Sequence, residues 1–235
     1  MNENYKPISC DINSRSCCSS FTEVKLEKDF KSHWDKAYER TETDKLGWYE
    51  IMPEPSLLLI DKCKLSKNAA LLNVGAGAST LVDELLKLGY ENIIANDLSS
   101  SALNKLKARL GEEKSDNVRW IVDDLTRPTV LKSLEPIALW HDRAVLHFFN
   151  EKKEQEDYFD LLKKLVQTDG FVILATFNLN GATNCSGLPV HRYNKEMLQE
   201  KLGASFELLE AFDYTYTMPS GSLREYVYTL FKRMK

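Results

Sequence analysis

Five short apolar runs rich in branched residues, at 70–75, 92–98, 118–124, 137–143 and 170–177, constrain this chain more than any other feature. Several of the intervals between them carry amphipathic helical patterns. Strands buried on both faces read as continuous apolar runs, and an intervening helix returns the chain to lay the next strand parallel to the last. The helical segment "STLVDELLKLG" opens at Ser79 and closes at Gly89, and "SSSALNKLKARLG" closes at Gly111. Both endings carry the residues that cap helices. "EKKEQEDYFDLLKKLVQTDG" puts Phe159, Leu162, Leu165 and Val166 on one face. The pattern predicts a parallel sheet with helices on both sides.

The C-terminus breaks the alternation. "SFELLEAFDYTYTM" and "REYVYTLFKRM" are strand-like and are joined by "PSGSL". A link that short holds no crossover helix, so these two strands must be antiparallel. Upstream, "FTEVKLEKDFKSHWDKAY" places Val24, Phe30, Trp34 and Tyr38 at helical spacing, and "LGWYEIMPEPSLLLIDKC" turns through Pro53 and Pro55 into another helix. The expected organisation is a flexible leader over 1–20 and one domain over 21–235. That domain divides into a helical N-terminal segment (21–68) and an α/β core (69–235).

The chain of 235 residues carries 31 Lys plus Arg against 35 Asp plus Glu, a net charge of -4, with the signs interspersed. Such a balance offers no electrostatic footprint for nucleic acid or an anionic membrane. The apolar runs are too short to span a bilayer, and "MNENYKPISC" has no charged-then-apolar signal pattern, so a cytoplasmic monomer is expected. The cysteines at 10, 17, 18, 63 and 185 have no C-x-x-C spacing. Cys10, Cys17 and Cys18 read as exposed thiols on the leader, and no metal site is expected.

Chemistry concentrates where the runs end. "LLNVGAGAST" has the form of a cofactor loop at the carboxyl end of the first strand, Gly75, Ala76 and Gly77 letting backbone approach a ligand. Twenty residues after Gly77, Asp97 ends the second strand, where a carboxylate accepts ribose hydroxyls. Asp123 or Asp124 ends the third, where an acid accepts an adenine amino group. The third glycine of the dinucleotide fingerprint is missing, because position 80 is Thr80, and some seventy residues precede the first strand. Both facts argue against a nicotinamide oxidoreductase.

The series "NVGAGAST", "NDLSSSAL", "VRWIVDDLT", "LWHDRAVLHFF", "GFVILATF" and "CSGLPVHRY" resembles the successive motifs of class I S-adenosylmethionine-dependent methyltransferases. More narrowly it resembles a largely bacterial subgroup related to the thiopurine and tellurite enzymes. The resemblance runs from about Phe30 to Lys235. It implies a Rossmann-like seven-stranded sheet of order 3-2-1-4-5-7-6 with strand 7 antiparallel, helices on both faces, and S-adenosyl-L-methionine as cofactor. The loop residues Gly75, Ala76 and Gly77, with Asp97, Leu98, Asp123, Asp124, Leu125 and His141, would then hold the cofactor. "HWDKAYERTETDKLGWYE" resembles the covering segment, with Trp34, Tyr38 and Trp48 closing over it; a sulfonium is a cation and favours aromatic faces. Two positions depart from the family. Asn73 stands where an acid usually helps hold the methionine amino group, and Ala138 stands where an Asp usually opens the fourth strand.

His141, Asp142 and Arg143 end the fourth strand where the methyl group would sit, and the loop after the fifth supplies His191 and Tyr193. By resemblance, Arg143 orients an anionic or polar acceptor, and His141, Asp142 or His191 would take a proton from an amine or hydroxyl. The reading is an enzyme methylating a small-molecule acceptor, a thiol or metalloid among the candidates. A protein lysine and a non-catalytic cofactor-binding module are the alternatives.

Overall fold

The structure is a computed structural model, and the residues it describes are 29–234. The leader cysteines 10, 17 and 18 and the start of the first expected helix lie outside the described residues. Among the described residues nine strands follow one another: β1 Leu71–Val74, β2 Ile93–Asp97, β3 Val118–Val122, β4 Ile137–Arg143, β5 Val166–Phe177, β6 Asn184–Cys185, β7 Leu188–Pro189, β8 Phe206–Thr217 and β9 Leu223–Arg233. Seven form one sheet in the order β3-β2-β1-β4-β5-β9-β8, and β6 with β7 makes a separate two-stranded hairpin. Only β9 runs against its neighbours β5 and β8. Counting the strands of the large sheet alone, this is the expected 3-2-1-4-5-7-6 order.

Helices α1 (Phe30–Arg40), α2 (Glu54–Lys62), α3 (Leu81–Lys87), α4 (Ser100–Leu110), α5 (Glu112–Ser115), α6 (Lys152–Leu165) and α7 (Lys195–Leu202) surround the sheet. Local chemistry sets their ends. Ser99 caps α4 by accepting from the Ala102 N–H at 3.1 Å, and Gly111 closes it at φ 77°. Ser79 accepts from the Leu81 N–H, and α3 starts at Leu81 with Thr80 at the cap position, one residue later than a cap at Ser79 would set it. α6 opens with a reciprocal Glu151–Glu154 capping box. It ends at Leu165, and Val166 already belongs to β5, since branched Val packs as well in a strand and Asp169 turns the chain at φ 62°.

Two cores sandwich the sheet. One, around Leu59, Ile60, Leu139, Ile173 and Tyr228, lies on the side of α2, α3 and α4. The other, around Trp140, Tyr158, Phe159, Leu162 and Phe231, lies on the side of α6 and α7. α1 and the segment after it fold over the carboxyl ends of β1, β2 and β4, and Asp35 on α1 accepts from the Ser99 hydroxyl at 2.6 Å. No helix among the described residues is long and apolar enough to cross a membrane.

Candidate functional site

The loop after β1 is the floor of the site. Gly75 and Gly77 hold φ 56° and 55°. A Cβ on Gly75 would sit 2.0 Å from Val145 Cγ2, and one on Gly77 would sit 2.2 Å from the Tyr38 hydroxyl. Both positions therefore need glycine for shape and for backbone conformation together. Asp97, at the end of β2, accepts from the Gly77 N–H at 2.8 Å through one oxygen and from the Ser99 N–H at 2.7 Å through the other. Burial pushes its carboxyl up to about 6, against the lowering effect of those N–H groups. The helix cap is Ser99, so Asp97 is not spent on capping α4.

The two acids after β3 differ. Asp123 takes N–H groups from Thr129, Val130 and Leu131 as well as the Thr129 hydroxyl, which commits it to holding its own loop. Asp124 accepts from the Thr126 N–H and hydroxyl through Oδ1 and lines the cavity beside Leu98 and Leu125.

Above the loop stands an aromatic wall. Trp34 meets Trp48 edge-on at 5.6 Å and Phe148 at 4.9 Å between ring centroids. Trp48 Nε1 donates to the Tyr38 hydroxyl at 2.9 Å. These rings, with Gly75, Asp97 and Asp124, enclose a cavity of about 130 Å³ at the carboxyl edge of the sheet. A smaller cavity adjoins it, sharing Tyr38, Trp48, Gly75 and Arg143, and runs back over Asn73 and His141 towards Glu50 and Ser56.

Residues 141–143 do not act as one group, because neighbours on a strand face opposite sides of the sheet. His141 and Arg143 face the cavities. His141 is neutral, since burial and then Arg143 push its imidazole down to about 3. Its Nδ1–H donates to Asn73 Oδ1 at 2.8 Å and its Nε2 accepts from the Ser56 hydroxyl at 2.9 Å. Asn73 thus serves a partner directly across in the strand register. Arg143 is held from several sides. Its Nε lies 2.9 Å from the Glu50 carboxylate and 3.1 Å from the Tyr228 hydroxyl, and Nη1 donates to the Trp48 carbonyl at 3.0 Å. The rings of Tyr216 and Tyr226 stand 4.9 and 5.1 Å from the guanidinium carbon. Its Nη2 is buried with no hydrogen-bond partner.

Asp142 faces away from the cavities, which corrects its expected place at the acceptor. It accepts from the N–H groups of Val145 and Leu146 and from the Tyr158 hydroxyl at 2.6 Å. Its task is to pin the turn in which Ala144 adopts φ 69°. His191 and Tyr193 also lie off the cavities: their rings pack against each other at 4.5 Å, and Tyr193 is fully buried in the α6 side core. The N–H of His191 donates to the His147 carbonyl and that of Tyr193 to the Phe177 carbonyl, which places both as a brace under the loop.

Sequence reasoning did not single out Glu50, Val145 or Phe148. Glu50 sits in "LGWYEIMPEP", an acid that follows two aromatics and precedes two prolines, and that setting was the only signal available.

No family model matches the chain. It is 26% identical over 198 residues to EEF1A lysine methyltransferase 2 of Homo sapiens, covering 77% of this chain and 75% of the relative. The Danio rerio protein of the same name is 25% identical over 211 residues, covering 85% and 83%. Among solved structures, a SAM-dependent methyltransferase from Anabaena variabilis superposes with TM-score 0.68 at 15% identity, covering 87% of this chain and 93% of that one. The Burkholderia thailandensis 1,6-didemethyltoxoflavin-N1-methyltransferase, solved with S-adenosylhomocysteine, gives 0.68 at 18%, covering 88% of each. The fold is that of the class I methyltransferases. The curated relatives are lysine methyltransferases, which corrects the narrower placement beside thiopurine and tellurite enzymes.

Proposed function

We propose that the acceptor of this S-adenosylmethionine-dependent methyltransferase is a lysine side chain of a protein, in place of the small molecule expected from the sequence. The observation that carries the reading is the likeness to the lysine methyltransferases over three quarters or more of both chains. The character of the cavity supports it. Arg143 is the only cation lining either cavity among the described residues, and it is already paired with Glu50, so an anionic small acceptor has no free counter-charge. The remaining wall of Trp34, Trp48, Phe148 and Phe149 suits the aliphatic stem of a lysine and a cationic centre.

The residues present fit the cofactor. The glycine loop brings backbone to the cavity floor, Asp97 and Asp124 stand as acceptors at the ends of β2 and β3, and Leu98, Leu125 and Val145 supply apolar walls for a purine. When bound, the cofactor supplies an electrophilic methyl group on a sulfonium. Trp34, Trp48 and Phe148 exclude water and hold the nucleophile in line, which is most of what such a displacement needs. His141 is buried with both ring nitrogens engaged, and Asp142 faces the other side, so neither removes the acceptor's proton. The amine arrives neutral, having lost its proton to solvent.

The test is to label a cell lysate with the radioactive cofactor and the protein, then hydrolyse the labelled material to amino acids. Methylated lysine is expected. Label confined to small molecules would overturn the acceptor assignment and restore the sequence-based one.

A further inference from the structure

The smaller cavity has a charge pattern that the nucleoside half of a ligand does not use. Among the described residues lining it, Glu50 is the only carboxylate and Arg143 the only cation. The other polar side chains on its floor are spoken for: Asn73 Oδ1 takes the His141 Nδ1–H, and His141 Nε2 takes the Ser56 hydroxyl. None of these neutral groups balances a full charge. The larger cavity, by contrast, is lined by Asp97, Asp123, Asp124 and Glu154, the first three after the strand ends that would face a nucleoside. Since the two cavities share Gly75 and Trp48, one elongated ligand reaches from the first into the second.

We propose that Glu50 and Arg143 together receive the α-amino acid end of the cofactor, Glu50 taking its ammonium and Arg143 its carboxylate. The inference rests on the cofactor reading above and adds two residues to it. The two side chains neutralise each other at 2.9 Å. A buried charge needs a partner, and the pair supplies it until the zwitterion arrives. An ammonium and a carboxylate laid against them give each of the four charges an opposite neighbour and give the orphaned Arg143 Nη2 an acceptor. At the end of β1, Asn73 offers only an amide, and its oxygen is engaged by His141. Glu50 is firmly placed for this. Its carbonyl accepts from the Thr80 hydroxyl at 2.9 Å, the carbonyl of Tyr49 accepts from the Tyr216 hydroxyl, and that of Trp48 accepts from Arg143. Burial, opposed by the Arg143 charge, raises its pKa, as suits a carboxylate that gains from a second cation.

The decisive comparison is between S-adenosylhomocysteine and 5′-methylthioadenosine, which share the thioether nucleoside but not the amino acid. Calorimetry on the full chain should show Glu50→Gln weakening the first by about tenfold or more, the size of a lost charge-assisted hydrogen bond. Binding of the second should change by less than about twofold. Glu50→Gln leaves Arg143 buried and unpaired, so the double variant Glu50→Gln/Arg143→Gln, which removes both charges, is measured beside it and should show the same selective loss. The unmodified protein gives an independent arm: S-adenosylhomocysteine with its amino group replaced by hydrogen should bind about tenfold more weakly than the parent. Equal weakening of both ligands by the variants, or undiminished binding of the deaminated ligand, would overturn the assignment and leave the pair as a latch for the covering segment. Failure of the unmodified protein to bind any of the three would instead sink the cofactor reading beneath it.

Discussion

Removing one hydroxyl, in Tyr158→Phe, should destabilise the protein by about 3 kcal/mol. The Tyr158 hydroxyl donates to Asp142 at 2.6 Å and accepts from Trp140 Nε1 at 3.1 Å, and all three side chains are 0–1% exposed. A hydrogen bond to a charged group contributes roughly 1.5–3 kcal/mol, and a stranded buried donor costs roughly 1–3. The ring of Phe keeps the contacts of Tyr158 with Phe149 and Phe159, so little packing is lost. For a chain of this size the corresponding fall in melting temperature is about 6–12 °C. The effect also has a pH signature. Burial raises the Asp142 carboxyl from 3.8 to about 6, with the Tyr158 bond acting to lower it. A carboxyl raised on folding binds its proton more tightly in the native state, so stability is greatest below the unfolded value and falls as pH rises through about 6. Without Tyr158 the carboxyl rises further, and the ionised form loses its strongest donor. Urea unfolding at pH 5 and pH 8 should therefore show a larger loss at pH 8. A loss under about 0.5 kcal/mol, or an equal loss at both values, would refute the account of Asp142 as the anchor of the turn.

Asp97→Asn should weaken S-adenosylhomocysteine by about 1.5–3 kcal/mol in calorimetry. In the unmodified protein, affinity should drop as pH falls through about 6, because hydroxyl donors favour the ionised carboxylate whose protonation burial promotes; a flat profile from pH 5 to 8 would count against a ribose contact. Deleting residues 1–20 should leave that affinity unchanged, whereas deleting 1–50 should abolish it, since Trp34, Tyr38, Trp48 and Glu50 leave together; retained binding in the longer deletion would place the cofactor elsewhere.

The sheet was legible because its signal is periodic. Branched apolar runs at regular intervals leave few topologies, and the short "PSGSL" link forces one hairpin. The strand-end positions of Gly75, Asp97 and Asp124 were legible for the same reason. What periodicity could also have given is the sidedness of "HDR": a strand separates neighbours, so His141 and Arg143 share a face that Asp142 cannot. Loop geometry was out of reach. Asp123 and Asp124 are adjacent in sequence, and only the fold of 126–131 decides that the first is consumed by backbone N–H groups. Nothing in "WYEIM" says that its acid meets an arginine far along the chain, because that contact depends on how the covering segment lies across β4.

The pairing of Glu50 with Arg143 also bears on the proposed acceptor. An arginine at the end of the fourth strand reads, in isolation, as a free cation waiting for a carboxylate or phosphate-like substrate. Once the same guanidinium is seen bound to Glu50, Tyr228 and the Trp48 carbonyl, its charge is neutralised and its fork is mostly used. The space left beside it is bounded by Trp34, Trp48 and Phe148, surfaces that favour an alkyl stem ending in a positive or methylated nitrogen. With Glu50 beside it, the arginine offers an added small anion no net positive charge, so its pairing supports the proposed lysine over a small anionic acceptor.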